Sequence, residues 1–154
     1  MHEEKYDEAV PLLQEALSIV APALGSEHPL VGIYKINLAS AYLARKEPAA
    51  AEPLLRHALQ IRQRAPGVVP SRRRTLPEDD WSVGATKSLL GATLVALKRY
   101  AEAEPVLLAA RRDIDITPGP QSPEAKATIA RLVALYVAWG RSDKAAEYRA
   151  LLPS

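Results

Sequence analysis

The side chains able to do chemistry are few and scattered. Three histidines, His2, His28 and His57, lie in separate segments with no carboxylate at metal-ligand spacing. His28 stands directly before Pro29 and reads as a helix start. There is no cysteine, which excludes disulfides and thiolate metal sites. No serine lies in a nucleophile-elbow context, and there is no Gly-x-Gly-x-x-Gly loop to cradle a phosphate. The one dense charge run is Arg72-Arg73-Arg74. It reads either as a solvated loop balanced by Glu78, Asp79 and Asp80, or as a contact for an anion or an acidic partner. No aromatic platform accompanies it, which weighs against nucleic acid. Trp81 and Trp139 read as packing residues, the first stapling a long loop down at a helix start, the second packing on the final helix. These residues point to no enzyme, no cofactor and no metal.

The elements that would position any site are written in a repeat. Four segments align without gaps, beginning at Tyr6, Pro48, Tyr100 and Ser142, so the spacings are 42, 52 and 42 residues. The unit is therefore 42 residues, with ten extra residues between the second and third segments. A second set keeps the same register: Leu38-Ala39-x-x-Tyr42, Leu90-Gly91-x-x-Leu94 and Leu132-Val133-x-x-Tyr136. Each unit reads as two helices. Leu38, Ala39 and Tyr42 make one stripe, and Ala51, Leu55, Ala58 and Leu59 another. Neither helix can bury its stripe alone, so stacking must do it. Small residues, Ala39 or Gly91 against Ala51 or Ala103, let the paired backbones approach.

Helix ends agree with this register. Ser122-Pro123 reads as an N-cap with proline at the first helical position. Asp79, Asp80 and Ser142 are further candidate caps, and Gly25, Gly67 and Gly119 lie at stop positions. Pro11, Pro53 and Pro105 recur early in each second helix, where few backbone bonds are lost. The pattern predicts helices near 5–24, 29–45, 48–64, 81–98, 100–114, 123–139 and 142–152. High alanine and leucine content favours the same all-α class.

At Gly25-Ser26-Glu27-His28-Pro29, Asn37-Leu38-Ala39-x-x-Tyr42 and Ala51-Glu52-Pro53-Leu54-x-x-x-Ala58-Leu59-x-Ile61 the chain resembles tetratricopeptide repeats of the 42-residue, kinesin-light-chain type. The resemblance implies an all-α, right-handed solenoid of about seven helices, or three and a half repeats, formed by residues 1–154 as a single array. Its parts are the second helix of repeat 1 (5–24), repeat 2 (29–64), an insertion loop (65–80), repeat 3 (81–114) and repeat 4 (123–152). The insertion loop is expected to be the most mobile internal segment. A narrower resemblance covers the second half. Leu76-Pro77-Glu78-Asp79-Asp80-Trp81, Ser88-Leu89-Leu90-Gly91-Ala92 and Arg131-Leu132-Val133-x-Leu135-Tyr136-x-Ala138-Trp139-Gly140-Arg141 look like repeats that follow bacterial serine/threonine protein kinase domains. It implies an accessory region that phosphorylates nothing, since the sequence holds no kinase signature.

The resemblance also implies where a partner binds. In that family the first helices of successive repeats line a concave groove for extended or helical peptides. The register places Asn37, Ser40 and Leu43, then Ser88, Ala92 and Val95, then Arg131, Ala134 and Val137 on it. Asn37 and Arg131 would be its polar points, mattering for binding and little for folding. Leu89 and Arg131 replace the family asparagine in the later repeats, against an asparagine ladder.

The two ends differ. The last helix is polar through Asp143, Lys144, Glu147 and Arg149 and reads as a cap. The first helix is by register a second helix without its partner, and Ala9, Leu13, Ala16 and Val20 form its open edge. That edge predicts either residues missing upstream or contact with another chain, as in a homodimer. A net charge of +2 does not call for nucleic acid, and no stretch nears the roughly 18 apolar residues of a membrane span. With a polar N-terminus that is no signal peptide, the expectation is a cytoplasmic scaffold that binds a protein or peptide.

Overall fold

A computed structural model describes residues 2–64, 81–116 and 119–153. Among them are seven α-helices and no strand: α1 (His2–Leu24), α2 (Pro29–Ala44), α3 (Pro48–Arg64), α4 (Trp81–Ala96), α5 (Tyr100–Ile116), α6 (Pro123–Ala138) and α7 (Ser142–Arg149). They fall into two compact units, Met1–Arg74 and Thr75–Ser154. In the first, α2 packs on both α1 and α3; in the second, α5 packs on α4 and α6, α7 on α6, and α4 also touches α6.

The helices begin where the sequence supplies a cap. The Ser122 hydroxyl accepts from Ala125 N–H at 3.1 Å, and Pro123 follows at the first helical position, where its missing N–H costs nothing. His28 plays the same part for α2, its Nδ1 accepting from Leu30 N–H at 3.1 Å ahead of Pro29. Ser142 is not a cap. Arg141 holds the N-cap position of α7 without a side-chain bond, and Ser142 is the first helical residue. α7 also stops at Arg149, three residues before the expected end. Pro53 and Pro105 lie inside α3 and α5, and Pro11 and Pro22 inside α1.

The first helices end in one recurrent turn. Lys46, Lys98 and Gly140 occupy the same register position, all with positive φ (61°, 62° and 76°). Behind each, the next residue donates five residues back: Glu47 to Tyr42, Arg99 to Leu94 and Arg141 to Tyr136, at 2.8, 2.9 and 2.8 Å. Lys46, Lys98 and Gly140 themselves donate three residues back, to Leu43, Val95 and Val137. This is the Schellman arrangement, which satisfies carbonyls left over at a helix end.

The cores repeat as well. Leu38, Leu90 and Leu132 are buried, as are Ala51, Ala103 and Ala145, then Leu55 with Leu107 and Ala58 with Ala110. Each fully buried leucine contributes roughly 1.5–3 kcal/mol. The tightest backbone approach is at Gly91, where an added Cβ would lie 2.4 Å from Leu107 Cγ. Gly84 is similar: a Cβ there would lie 2.8 Å from Ile114 Cγ1. Trp139 packs on Tyr100 at the start of α5, ring centroids 6.2 Å apart, and the guanidinium of Arg141, the N-cap residue of α7, lies 4.0 Å from the centre of its ring. The final helix is fastened by tyrosines. Tyr148 stacks on Tyr136 at 5.5 Å, and Glu104 accepts from Tyr136 Oη and Lys144 Nζ at 2.8 and 2.9 Å. Those two bonds hold the Glu104 carboxyl below its usual range, while burial and Glu104 push the Tyr136 phenol well above its own.

Candidate protein-binding faces

The nine residues assigned to a groove divide between the units. In the first unit, Asn37 and Ser40 are exposed on α2 and Leu43 is half-buried beside them. Ile33, also on α2, is 41% exposed. Leu38 and Ala41 turn inward, which leaves 33, 37 and 40 on the opposite helix face.

In the second unit, α4 and α6 lie side by side and the picture is less uniform. Ala134 and Val137 are exposed, Val137 at 55%, and Ala92 and Val95 are half-buried. Ser88 is buried, so it is no contact residue. It forms part of a chain of hydrogen bonds. Arg131 Nη1 donates to Ser88 Oγ at 2.6 Å, Ser88 Oγ lies 2.9 Å from Thr128 Oγ1, and Thr128 Oγ1 donates to the Glu124 carbonyl at 2.8 Å. The Thr128 hydrogen is spent on Glu124. Ser88 must therefore donate to Thr128, and the chain runs in one direction from guanidinium to carbonyl. Arg131 is half-buried, and burial lowers the pKa of its guanidinium, which nonetheless stays charged.

Over this chain lies a cavity of about 310 Å³ between α4 and α6. Its walls are mostly small and apolar, Ala85, Leu89 and Ala127 among them, and Arg131, Ser88, Thr128 and Glu124 are its polar lining. Such a surface suits a peptide segment that lays an apolar side chain down and offers a carbonyl or carboxylate to the guanidinium.

The assigned edge of α1 is partly covered. Ala9, Leu13, Ala16 and Val20 are all half-buried, and Leu13 packs with Leu17 against Val10, Leu38 and Ala41. The most exposed apolar residues of α1 are Leu12 at 64% and Ile19 at 63%. Arg72, Arg73 and Arg74, with the rest of the 65–80 insertion, lie outside the described residues, as does the Trp81 side chain. Among the described residues no group of three or more His, Cys, Asp or Glu side chains could hold a metal, and no helix is long and apolar enough to cross a membrane.

One cluster escaped the sequence reading. His57 does meet a carboxylate: its Nε2 lies 2.7 Å from Glu27 Oε1, while Lys35 Nζ lies 2.6 Å from its Nδ1. Arg64 Nη1 donates to Glu27 Oε2 at 3.1 Å. These residues come from the loop before α2, from α2 and from α3, 22 to 37 positions apart, so no local spacing could show them.

The helix pairs, their register and their alanine and leucine core find a counterpart among known proteins. The tetratricopeptide repeat family model matches residues 1–64. The match is confined to the first unit. Two solved structures of a Podosopora anserina kinesin light chain with nearly identical TPR-like repeats, the second of a single-substitution variant, match it at 26% and 25% identity with TM-scores of 0.69. BtubC (BKLC) from P. vanneervenii matches at 23% identity with a TM-score of 0.73, which bears on the fold alone. Each alignment covers 96% of this chain, which spans 65%, 67% and 57% of the respective neighbours. No curated protein sequence matches the chain. Tetratricopeptide repeats are in general protein-interaction modules.

Proposed function

We propose that this chain is a scaffold that binds a peptide segment of a partner protein, and that in the second unit the segment lies on the α4–α6 face. The observation that carries the reading is the cavity there, with Arg131 held by Ser88 at the edge of an apolar, small-residue surface. A guanidinium fixed before the partner arrives loses less rotamer freedom on binding. The face of α2 with Ile33, Asn37 and Ser40 supports a second contact strip in the first unit. The role of accessory region to a bacterial kinase, in the cytoplasm, belongs to the same proposal and rests on the resemblance of residues 76–92 and 131–141. The test is a peptide-display selection against the intact chain. Selected peptides are expected to lose binding at least about tenfold with Ala134→Glu, which buries a charge in the contact, while the melting curve stays in place. Peptides that bind the variant as tightly as the parent sink the reading.

A second reading has its own observation. Leu12 and Ile19 stand seven residues apart on one face of α1, both more than half exposed. We infer that α1 is a self-association edge, centred on these two rather than on Leu13. Sedimentation of the parent chain at high micromolar concentration should show a dimer, and Leu12→Glu with Ile19→Glu should return it to monomer. A parent chain that stays monomeric ends this reading.

A further inference from the structure

The cluster around Lys35 has no part in either face. Two other lysines show what sets it apart. Lys87 Nζ meets Asp113 at 2.6 Å and Lys144 Nζ meets Glu104 at 2.9 Å, and a carboxylate partner stabilises the ammonium form. Lys35 Nζ meets an imidazole nitrogen. Its side chain is half-buried in the interface of α2 with α3, and His57 Nε2 is engaged by Glu27. With Nε2–H donated to the carboxylate, Nδ1 is left as a base pointing at the amine.

We propose that Lys35 is a modification site that accepts an activated acyl group, with His57 and Glu27 as its proton-handling pair. The amine in its neutral form donates one N–H to His57 Nδ1 and keeps its lone pair for the acyl carbon. Attack forms the C–N bond and breaks the bond to the leaving group, a thiolate from a thioester or a phosphate from an acyl phosphate. The surplus proton on nitrogen passes to His57 Nδ1, and the imidazolium is held through Nε2 by Glu27. The product is a neutral amide. No oxidant or reductant is involved. Burial, which lowers the lysine pKa against the opposing pull of Glu27, enlarges the neutral fraction. The charged groups contacting the site are Glu27 and, through it, Arg64; the hydrogen bond with His57 first, and then Arg64, hold that carboxyl below its usual range. Acylation would erase the Lys35 charge and replace an ammonium donor to His57 with an amide, changing how α2 is tied to α3.

The experiment uses the intact chain, treated in separate arms with acetyl phosphate and with the acetyl thioester of coenzyme A. Acetylation of each lysine is followed by mass spectrometry, with exposed Lys126 as the internal reference. Lys35 is expected to react about tenfold faster than Lys126, below the usual range of general-base assistance because the amine is only half-buried, and to fall to parity with it in His57→Gln. Reaction in both arms supports the shared chemistry, and reaction in one names the donor class. In the parent chain the labelling of Lys35 should also reach its plateau at lower pH than that of Lys126, a readout that stands even if His57→Gln misfolds. Equal rates in both arms, or coincident pH profiles, overturn the proposal.

Discussion

The two units use one repeat register and join their helices by different means. In the first unit the cross-helix polar contacts, Asp7 with Arg45, Gln14 with Tyr42 and the cluster of Glu27, Lys35, His57 and Arg64, are exposed or half-buried, and the described core is apolar throughout. In the second unit every buried polar residue of the described chain is found: Thr86, Ser88, Thr93 and Thr128. There the helices also approach through Gly84 and Gly91, where the first unit has Gly32 with ordinary clearance and Ala39. A repeat thus fixes which positions face inward, while leaving open whether packing is completed by methyl groups or by hydroxyls. The second solution demands more, since a buried hydroxyl is costly unless every partner is present.

The core is where the units should agree. Leu55→Ala and Leu107→Ala remove fully buried side chains at one register position, and each should cost about 2–5 kcal/mol in chemical denaturation. A large difference between them would show that the cores are not equivalent. The helix approach is where they should part. Gly91→Ala drives a methyl into Leu107 and should cost about 1–3 kcal/mol. The reverse change in the first unit, Ala39→Gly, should cost only about 1 kcal/mol, through the backbone entropy of glycine. Equal losses would remove the distinction.

The polar faces give a smaller contrast. Arg131→Ala breaks a charged hydrogen bond to buried Ser88 and should lower stability by about 1.5 kcal/mol. Asn37→Ala, on an exposed position, should change it by less than about 0.5 kcal/mol. The register alone put these two residues in one class, and their surroundings separate them. Lys98→Gly relieves a left-handed backbone and should raise stability by about 1 kcal/mol, as should Lys46→Gly in the first unit. The smallest effect concerns acid. The Glu104 carboxyl lies below its ordinary value of 4.5, so its contribution is complete above that value and is lost as pH falls through the lowered one. Amide exchange in α7 should therefore quicken as pH falls through that lowered value, by an amount worth only about a few tenths of a kcal/mol for a pair in partial contact with solvent. Glu104→Gln should remove that acid step.

Most of the fold was legible because burial repeats. Leu38, Leu90 and Leu132 announce an inward face by recurring at one spacing, and Ser122-Pro123 announces a helix start by local chemistry alone. The turns after the first helices were not legible in full. Gly140 is a stop signal, but Lys46 and Lys98 take the same left-handed conformation without the residue type that advertises it. The candidate site was legible in position and not in role. Register could place Ser88 and Arg131 on neighbouring helices, yet they stand 43 residues apart, and only the packing of α4 on α6 shows that one holds the other. The Lys35–His57–Glu27 contacts likewise depend on three segments meeting, which no spacing encodes.

The left-handed residues carry one more consequence. Seventeen residues separate Pro29 from Lys46, Trp81 from Lys98 and Pro123 from Gly140. The ten-residue insertion falls outside all three intervals, so the first helix and its reversal behave as a cassette of fixed length. Cassettes that share both ends can be exchanged without re-cutting their joints. A chimera that runs from Pro29 to Lys46 and continues at Arg99 keeps the same donor, five residues after its acceptor, on the far side of the splice. New surfaces can therefore be assembled from this chain by shuffling at the reversal points, where the backbone geometry is already common property of the repeats.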